Sequence, residues 1–334
     1  MTVTRRGFIA LFGVVAARLF YLQIVDGADL ASAAESNRTN VATLHAKRGT
    51  IYDRNGNVLA MSIDCSTIYC NPQNVHDPSG LATVLASILG GDYNDYLADV
   101  TKDTTFVYVQ RQVDADVVKR LKSELSDKDI EGVYYLDDTK RVYPYGGTCG
   151  QILGVVGTDG QGITGLELQY DDILTGTDGE MIMETGLGGT PIAGGTYEVT
   201  DAVDGTDVIL GIDVNIQEKA ETALVDAVKT YKAESGSILV MNPKTGEIHC
   251  ACSTPLANVS DLSTVDSDGL TLKLVSMSYE PGSVFKVITT STGIEAGLFD
   301  SDSTYPIPET IQVGDDTVTD DDSRDYTMDM TIRE

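Results

Sequence analysis

Tyr279-Glu-Pro-Gly-Ser-Val-Phe-Lys286 is the stretch around which the rest of the chain is read. Pro281-Gly282 introduces a helix expected from about Ser283 to Ala296 and closed by Gly297. Residues three apart share a helix face, so the Ser283 hydroxyl and the Lys286 amine can meet. A serine is a poor nucleophile until a neighbouring base takes its proton, and a desolvated lysine can be that base. Free N–H groups in the first helical turn favour the negative charge that develops during acyl transfer. The pattern describes an acyl-transfer site with Ser283 as nucleophile and Lys286 as base. S-x-x-K also occurs on ordinary surface helices, so its surroundings decide.

Working outward, Val208-Ile-Leu210 with Ile212 reads as a strand. Asn215–Tyr231 reads as a helix with Ile216, Ala220, Leu224 and Val228 on one stripe. Ser237–Met241 is expected as a buried strand, Asn242–Gly246 as a turn and Glu247–Ser253 as the returning strand. This order suggests an α+β fold or a three-layer sandwich beginning near Asp207. Lys244-Thr-Gly246 has the composition of the K-T-G element of serine acyltransferases, but it lies in a hairpin turn and precedes the S-x-x-K. It is set aside.

The first half has a mixed α and β texture. Residues 26–46 read as a polar, helix-prone stalk. Thr50–Leu59 reads as strand, turn, strand around Asn55-Gly56. Ser79–Leu89 and Ala115–Leu125 have helical spacing, while Gly132–Tyr135 and Val142–Tyr145 look extended. Gly160-Gln-Gly-Ile-Thr-Gly165 matches G-x-G-x-x-G between a strand-like Ile152–Val156 and a helix-like Leu166–Leu174. Gly157–Gly160 separates strand from motif and no basic residue is near, so loop glycines explain it better than a dinucleotide site. Glu184–Gly205 is Gly-rich and is the expected domain boundary.

Arg5-Arg6 precedes an apolar run from Gly7 to Ala17 that resumes at Leu19–Leu22 after Arg18. A helix from Gly7 to Val25 would be about 28 Å long, close to the thickness of a bilayer core. The basic residues before it place the N-terminus in the cytoplasm and the rest outside. Thr4-Arg-Arg-Gly-Phe-Ile9 also fits a twin-arginine export signal. Ala31-Ser-Ala33 is a late cleavage candidate, so an uncleaved anchor is favoured.

The 334 residues carry 23 basic and 51 acidic side chains, a net charge of −28, and no Lys or Arg occurs from Val142 to Glu218. That argues against nucleic-acid binding, which needs Lys and Arg on phosphates. Five cysteines are not a disulfide framework. Cys250-Ala-Cys252 is not a metal or redox spacing, and only three histidines are present, so no metal site and no cofactor is expected.

Taken in order, these elements resemble the class B penicillin-binding proteins, the monofunctional peptidoglycan transpeptidases. Arg18-Leu-Phe-Tyr-Leu-Gln23 is similar to the end of the family's anchor. Arg48-Gly-Thr-Ile-Tyr-Asp-Arg54, Arg141-Val-Tyr-Pro144 and Gly162-Ile-Thr-Gly-Leu-Glu167 are similar to motifs of its non-catalytic pedestal, or dimerisation, domain. Asp213 and Gln217 match the start of the transpeptidase domain, and Tyr279–Lys286 matches the S-x-x-K segment. The resemblance implies an α+β chain with three parts. Residues 1–25 are the stub and anchor, 26–200 the mixed α/β pedestal, and 201–334 the first part of a transpeptidase α/β/α three-layer sandwich. It implies Ser283 as the acylated nucleophile and Lys286 as its base, acting on D-Ala–D-Ala stem peptides of peptidoglycan, with β-lactams acylating the same serine. Membrane proteins of wall synthesis, such as a glycosyltransferase, are implied partners. Location at the cell membrane follows, with the catalytic part outside. Arg48, Asp53, Arg54, Arg141 and Glu167 are expected to hold the pedestal together.

The family's later S-x-N and K-T-G motifs are not found after Ser283, and Thr327–Glu334 resembles the helical run leading into S-x-N. The expectation is therefore a partial or inactive transpeptidase. The alternative is a non-enzymatic, membrane-anchored pedestal protein that binds wall-synthesis partners. A β-lactamase or β-lactam sensor shares S-x-x-K, but the long pedestal argues against it. Whether the role is division, elongation or spore wall stays open, as do the acceptor amine and dimerisation.

Overall fold

In the computed structural model, residues 5–26, 39–184, 197–321 and 323–333 are described. Contacts divide the chain into two units, Met1–Ser276 and Met277–Glu334.

The first unit is organised by one long strand, Val58–Cys70, which alternates sides as its side chains do. One edge pairs antiparallel with Val133–Val142 along ten residues, Met61 facing Val142 and Cys70 facing Val133. The other edge pairs first with Ile51–Tyr52 and then with Val107–Val113. Ile51–Tyr52 also pairs in parallel with Val208–Ile209. The hairpin expected at Asn55-Gly56 forms, with Gly56 at φ +84°. The Asp53 carboxylate closes it by accepting the N–H groups of Asn55 and Asn57, both at 2.8 Å.

Helices Pro78–Leu89, Tyr93–Val100 and Ala115–Asp127 cover one face of this sheet. Asp77 caps the first by accepting from the Gly80 N–H, and Pro78 stands at its first position, where a missing N–H costs nothing. Leu81, Val84 and Leu85 pack with Leu121, Leu125, Ile68 and Cys70 into one buried cluster. A second cluster joins Ile51, Leu59 and Ala60 to Cys149, Leu153, Leu174, Ile212 and Val214. It therefore spans residues on both sides of the Gly-rich segment.

Several expectations are corrected. Thr39–Leu44 is not part of a helical stalk. It is a strand pairing antiparallel with Gly179–Glu184, which pairs in turn with Tyr197–Thr200. The β-branched Thr39, Val41 and Thr43 recur at every second position and suit a strand better than a helix. Val133–Val142 is one strand, and Tyr143–Tyr145 after it turns instead of extending. Ile152–Val156 is not a strand: Gly150–Leu153 is a helical turn, and only Val156 bridges to Gly162. Leu166–Leu174 is broken at Tyr170 into Gly165–Gln169 and Asp171–Leu174. The expected boundary segment lies partly outside the described residues, at 185–196.

Helix Val214–Tyr231, capped by Asp213, packs through Leu224 on the hairpin of Ser237–Met241 and Ile248–Ser253. Lys244-Thr-Gly246 is the turn of that hairpin. Ser237–Met241 was expected buried, but only one of its faces is covered, and Leu239 and Met241 stand exposed.

At the N-terminus, Arg5–Phe20 is helical and Tyr21–Val25 continues it as a π turn. No helix among the described residues is long and apolar enough to cross a membrane.

The second unit holds helix Lys286–Glu295 and two antiparallel strand pairs: Thr304–Ile307 with Met328–Thr331, and between them in sequence the hairpin of Thr310–Val313 with Asp316–Thr319. Met328–Thr331 lies in the run expected to be helical. Its Met328 and Met330 alternate with polar Asp329 and Thr331, again a period of two.

Candidate active site

Gly282–Phe285 forms a 3-10 turn that leads straight into helix Lys286–Glu295. Gly282 sits at φ +57°, where a side chain is strained, so the glycine before Ser283 sets the turn. The Lys286 N–H closes the turn on the carbonyls of Ser283 and Val284. In such a turn positions i and i+3 eclipse, which puts Ser283 and Lys286 on one side. The sequence expectation of a shared face is met in the backbone.

The side chains are not joined. Ser283 and Lys286 are both exposed, and no hydrogen bond between them is found among the described residues. Val284, Phe285, Val287 and Ile288 on the same segment are exposed too. Lys286 instead contributes to the field at Asp320. The Asp320 carboxyl is held below the usual range first by the hydrogen bond from Arg324, then by the Asp321 N–H, with the charges of Arg324 and Lys286 adding to it. Arg324 also donates to the carbonyls of Ile307 and Pro308, clamping together the two connections between the outer strand pair and the inner hairpin. A serine and a lysine in open water can be acylated only slowly, because proton removal needs a desolvated base in contact with the hydroxyl.

The pedestal motifs, 112 to 123 residues apart in some pairs, meet in one buried ion network. Glu167 is fully buried and accepts from Arg48 Nε and Arg141 Nε, each at 2.7 Å. Arg48 Nη1 also binds Asp171 at 2.6 Å and Thr175 at 2.8 Å, and Nη2 binds the Glu167 carbonyl. Arg141 Nη1 reaches the Gly49 carbonyl at 2.8 Å. The glycines of Gly160–Gly165 serve this packing. A Cβ on Gly162 would stand 2.1 Å from the Glu167 carbonyl, and one on Gly165 would stand 2.6 Å from the Gly154 nitrogen. Asp171 is held below the usual carboxylate range: burial opposes ionisation, and the Gly162 N–H and Arg48 outweigh it.

Asp53 and Arg54 lie where the pedestal hairpin meets the second half of the unit. Asp53 Oδ2 accepts the Val214 N–H at 3.3 Å, and the Arg54 N–H donates to the Ile212 carbonyl. Three further residues tie this seam, of which sequence reading singled out only Gln217. Gln217 is buried and pairs both ways with the Ala251 backbone, at 2.8 and 3.0 Å. Glu221 accepts from Gln217 at 2.7 Å and from the Cys149 N–H at 3.1 Å. Gln151 accepts from the Ser253 N–H and donates to the carbonyls of Pro255 and Gly269, all at 2.9 Å. Glu221 lies one turn after Gln217 and beside the Ile216–Ala220–Leu224–Val228 stripe, so no apolar pattern marked it.

Two family models match the chain: the penicillin-binding protein dimerisation domain over residues 43–210 and the penicillin-binding protein transpeptidase domain over residues 236–334. Stage V sporulation protein D of Bacillus subtilis is 33% identical over 297 residues, covering 86% of this chain and 45% of that protein. Peptidoglycan D,D-transpeptidase FtsI of Escherichia coli (strain K12) is 29% identical over 291 residues, covering 84% of this chain and 48% of that protein. Among solved structures, penicillin binding protein 2X from Streptococcus thermophilus aligns at 30% identity with a TM-score of 0.64, over 87% of this chain and 47% of that one. The chain thus spans about half the length of the curated relatives it matches. The dimerisation-domain match, the buried Arg48–Glu167–Arg141 network within it and the ordered motifs on either side agree, and the chain belongs to the class B penicillin-binding proteins.

Proposed function

We propose that this chain forms the anchored pedestal and first catalytic segment of a peptidoglycan D,D-transpeptidase. Ser283 is the nucleophile and Lys286 the base that takes its proton. The serine oxygen attacks the D-Ala–D-Ala carbonyl of a stem peptide, and D-Ala leaves with the proton; an amine of a neighbouring stem then attacks the acyl-serine ester, takes the acyl group as an amide and returns its proton to the serine. β-Lactams acylate the same oxygen. The observation that carries this reading is the Ser283–Lys286 turn itself, within the segment that matches the transpeptidase model.

Residues 1–25 are assigned to a membrane anchor, 26–200 to the pedestal and 201–334 to the transpeptidase portion. The basic pair Arg5-Arg6 that opens the Arg5–Phe20 helix and the family-model spans support that division. The catalytic part lies outside the cytoplasmic membrane, beside membrane proteins of wall synthesis such as a glycosyltransferase. Because Ser283 and Lys286 are exposed, acylation at a useful rate needs further protein around them.

The test is fluorescent-penicillin labelling of the product of the full reading frame in membranes, compared with Ser283→Ala. Labelling mapped to Ser283 and lost in the variant is expected. Labelling that survives Ser283→Ala, or a folded wild type that takes no label, overturns the assignment.

A further inference from the structure

The face of the long sheet that faces away from its helices carries a row of aromatic rings. Tyr69 stands opposite Tyr108 on one neighbouring strand and opposite Tyr134 on the other. Tyr69 stacks on Tyr134 at 5.2 Å and on Phe106 at 4.8 Å between ring centroids. Tyr108 is turned edge-on to Phe106, at 86°, so the stack does not cover its face. Phe106, Tyr108 and Tyr134 are between 39% and 52% exposed, a large aromatic surface to leave in water.

The row continues along the strands into a polar cleft. On Val133–Val142, the outward positions run Tyr134, Leu136, Asp138, about 13 Å at the rise of a strand. Asp138 lines a cleft of about 650 Å³, within the usual size for a small-ligand site. Arg111 joins the two regions, lying 5.7 Å over the Tyr108 ring while also lining the cleft. Thr139, Thr158, Thr175, Thr177 and Gln161 supply further hydroxyl, amide and backbone groups to the lining.

Charge selects among ligands. Arg48 is held by Asp171, Arg111 by Asp159 and His45 by Asp178, while Asp138 accepts from Thr67 and the Thr139 N–H. Each charged side chain of the cleft thus already holds an ion-pair or hydrogen-bond partner, with the buried Arg111 Nε left as a spare donor, and a chain of net charge −28 repels polyanions. An apolar protein segment would leave these polar groups without water. A polyhydroxylated, uncharged ligand with apolar ring faces satisfies both regions: C–H faces on the exposed rings, hydroxyls on the cleft. We propose that this sheet face and cleft bind an uncharged carbohydrate strand, a pyranose chain of the kind that makes up the glycan of a cell wall. This rests on the wall-synthesis reading above and adds a subsite to it, remote in sequence from Ser283.

The test is titration of the 334-residue chain in detergent with chitotetraose, a neutral β-1,4-linked oligomer of N-acetylglucosamine, followed by calorimetry and tyrosine fluorescence. Binding is expected, weakened about tenfold in Tyr108→Ala and in Asp138→Asn, with circular dichroism confirming that each variant is folded. No binding by the folded wild type overturns the proposal, as does equal binding by both variants. If Tyr108→Ala keeps the oligosaccharide but loses a membrane partner of wall synthesis, the face is a protein interface and the proposal is wrong. Penicillin labelling reads only Ser283, so labelling without oligosaccharide binding refutes this subsite alone.

Discussion

Glu167→Gln should be the most damaging conservative substitution in the pedestal. The wild-type carboxylate is fully buried, and each of its oxygens accepts a guanidinium Nε at 2.7 Å, one from Arg48 and one from Arg141. Glutamine has the same shape but offers one oxygen, and its amide nitrogen would point donors at a donor. One buried guanidinium loses its acceptor and both lose a counter-charge. Arg48 retains Asp171, but among the described residues no second carboxylate bonds the Arg141 Nε. Breaking a buried pair in this way costs about 3–5 kcal/mol. Domain stabilities are about 5–15 kcal/mol, so about a fifth or more of the pedestal's margin goes. At about 2–4 °C per kcal/mol for a unit of this size, Tm should fall by about 10 °C. The comparison is Lys128→Ala, which removes an exposed i,i+4 pair with Glu124 and should cost under about 0.5 kcal/mol. Differential scanning calorimetry of both variants measures this. A Glu167→Gln shift no larger than that of Lys128→Ala would refute the reasoning, and would mean that the two arginines are held by their other partners alone.

Glu221 gives a pH test. Burial, the largest influence, raises its pKa despite the hydrogen bonds from Gln217 and the Cys149 N–H. A carboxyl whose folded pKa is raised contributes most below its unfolded pKa and loses that contribution as pH rises through the folded one. Glu221→Gln should therefore flatten the wild type's loss of Tm as pH rises above the ordinary carboxylate value of about 4, and an unchanged slope would sink the idea. Gly154→Ala places a Cβ 1.9 Å from the Thr164 carbonyl at φ +78°, whereas Gly56→Ala at φ +84° meets open space. The first should lower the urea midpoint well beyond the roughly 1–2 kcal/mol expected of the second, and equal midpoints would contradict it. All five cysteines are free and buried, and burial lifts the thiols of Cys65 and Cys70 to about 11. A thiol reagent near neutral pH should find no reactive cysteine until denaturant is added, and fast labelling of the native protein would count against the packing. Penicillin should acylate the 334-residue chain at least about 100-fold more slowly than the protein extended through S-x-N and K-T-G, because Lys286 stands in solvent; equal rates would show otherwise.

What could be read from sequence was what repeats locally. Leu81, Val84 and Leu85 announce their helix because one face alone is buried. Ser283 and Lys286 announce theirs because three residues fix their relation. Strand Val133–Val142 was half missed because Asp137-Asp138-Thr-Lys-Arg141 interrupts the apolar run, and those side chains face a cleft and an ion network instead of a core. The meeting of Arg48, Arg141 and Glu167 has no local signature at all. Only the family motifs pointed to it, since spacing says nothing about residues brought together by tertiary structure. The reverse holds at Met328–Thr331, where the resemblance to the family's helical run outweighed a plain alternation.

The seam built by Asp53, Gln151, Gln217 and Glu221 bears on how such proteins can be recombined. Asp53, Gln151 and Glu221 close hydrogen bonds on backbone from the other side of the joint, and Gln217 holds Glu221 in place for its bond, so the two halves are written in one vocabulary. A chimera that joins this pedestal to another relative's transpeptidase portion inherits donors and acceptors with no counterparts, each buried. Exchange between lineages should therefore succeed when the crossover carries Gln151 together with the 248–271 segment, and fail when it separates them. The unit of inheritance at this joint is the pair of surfaces, not the domain on either side.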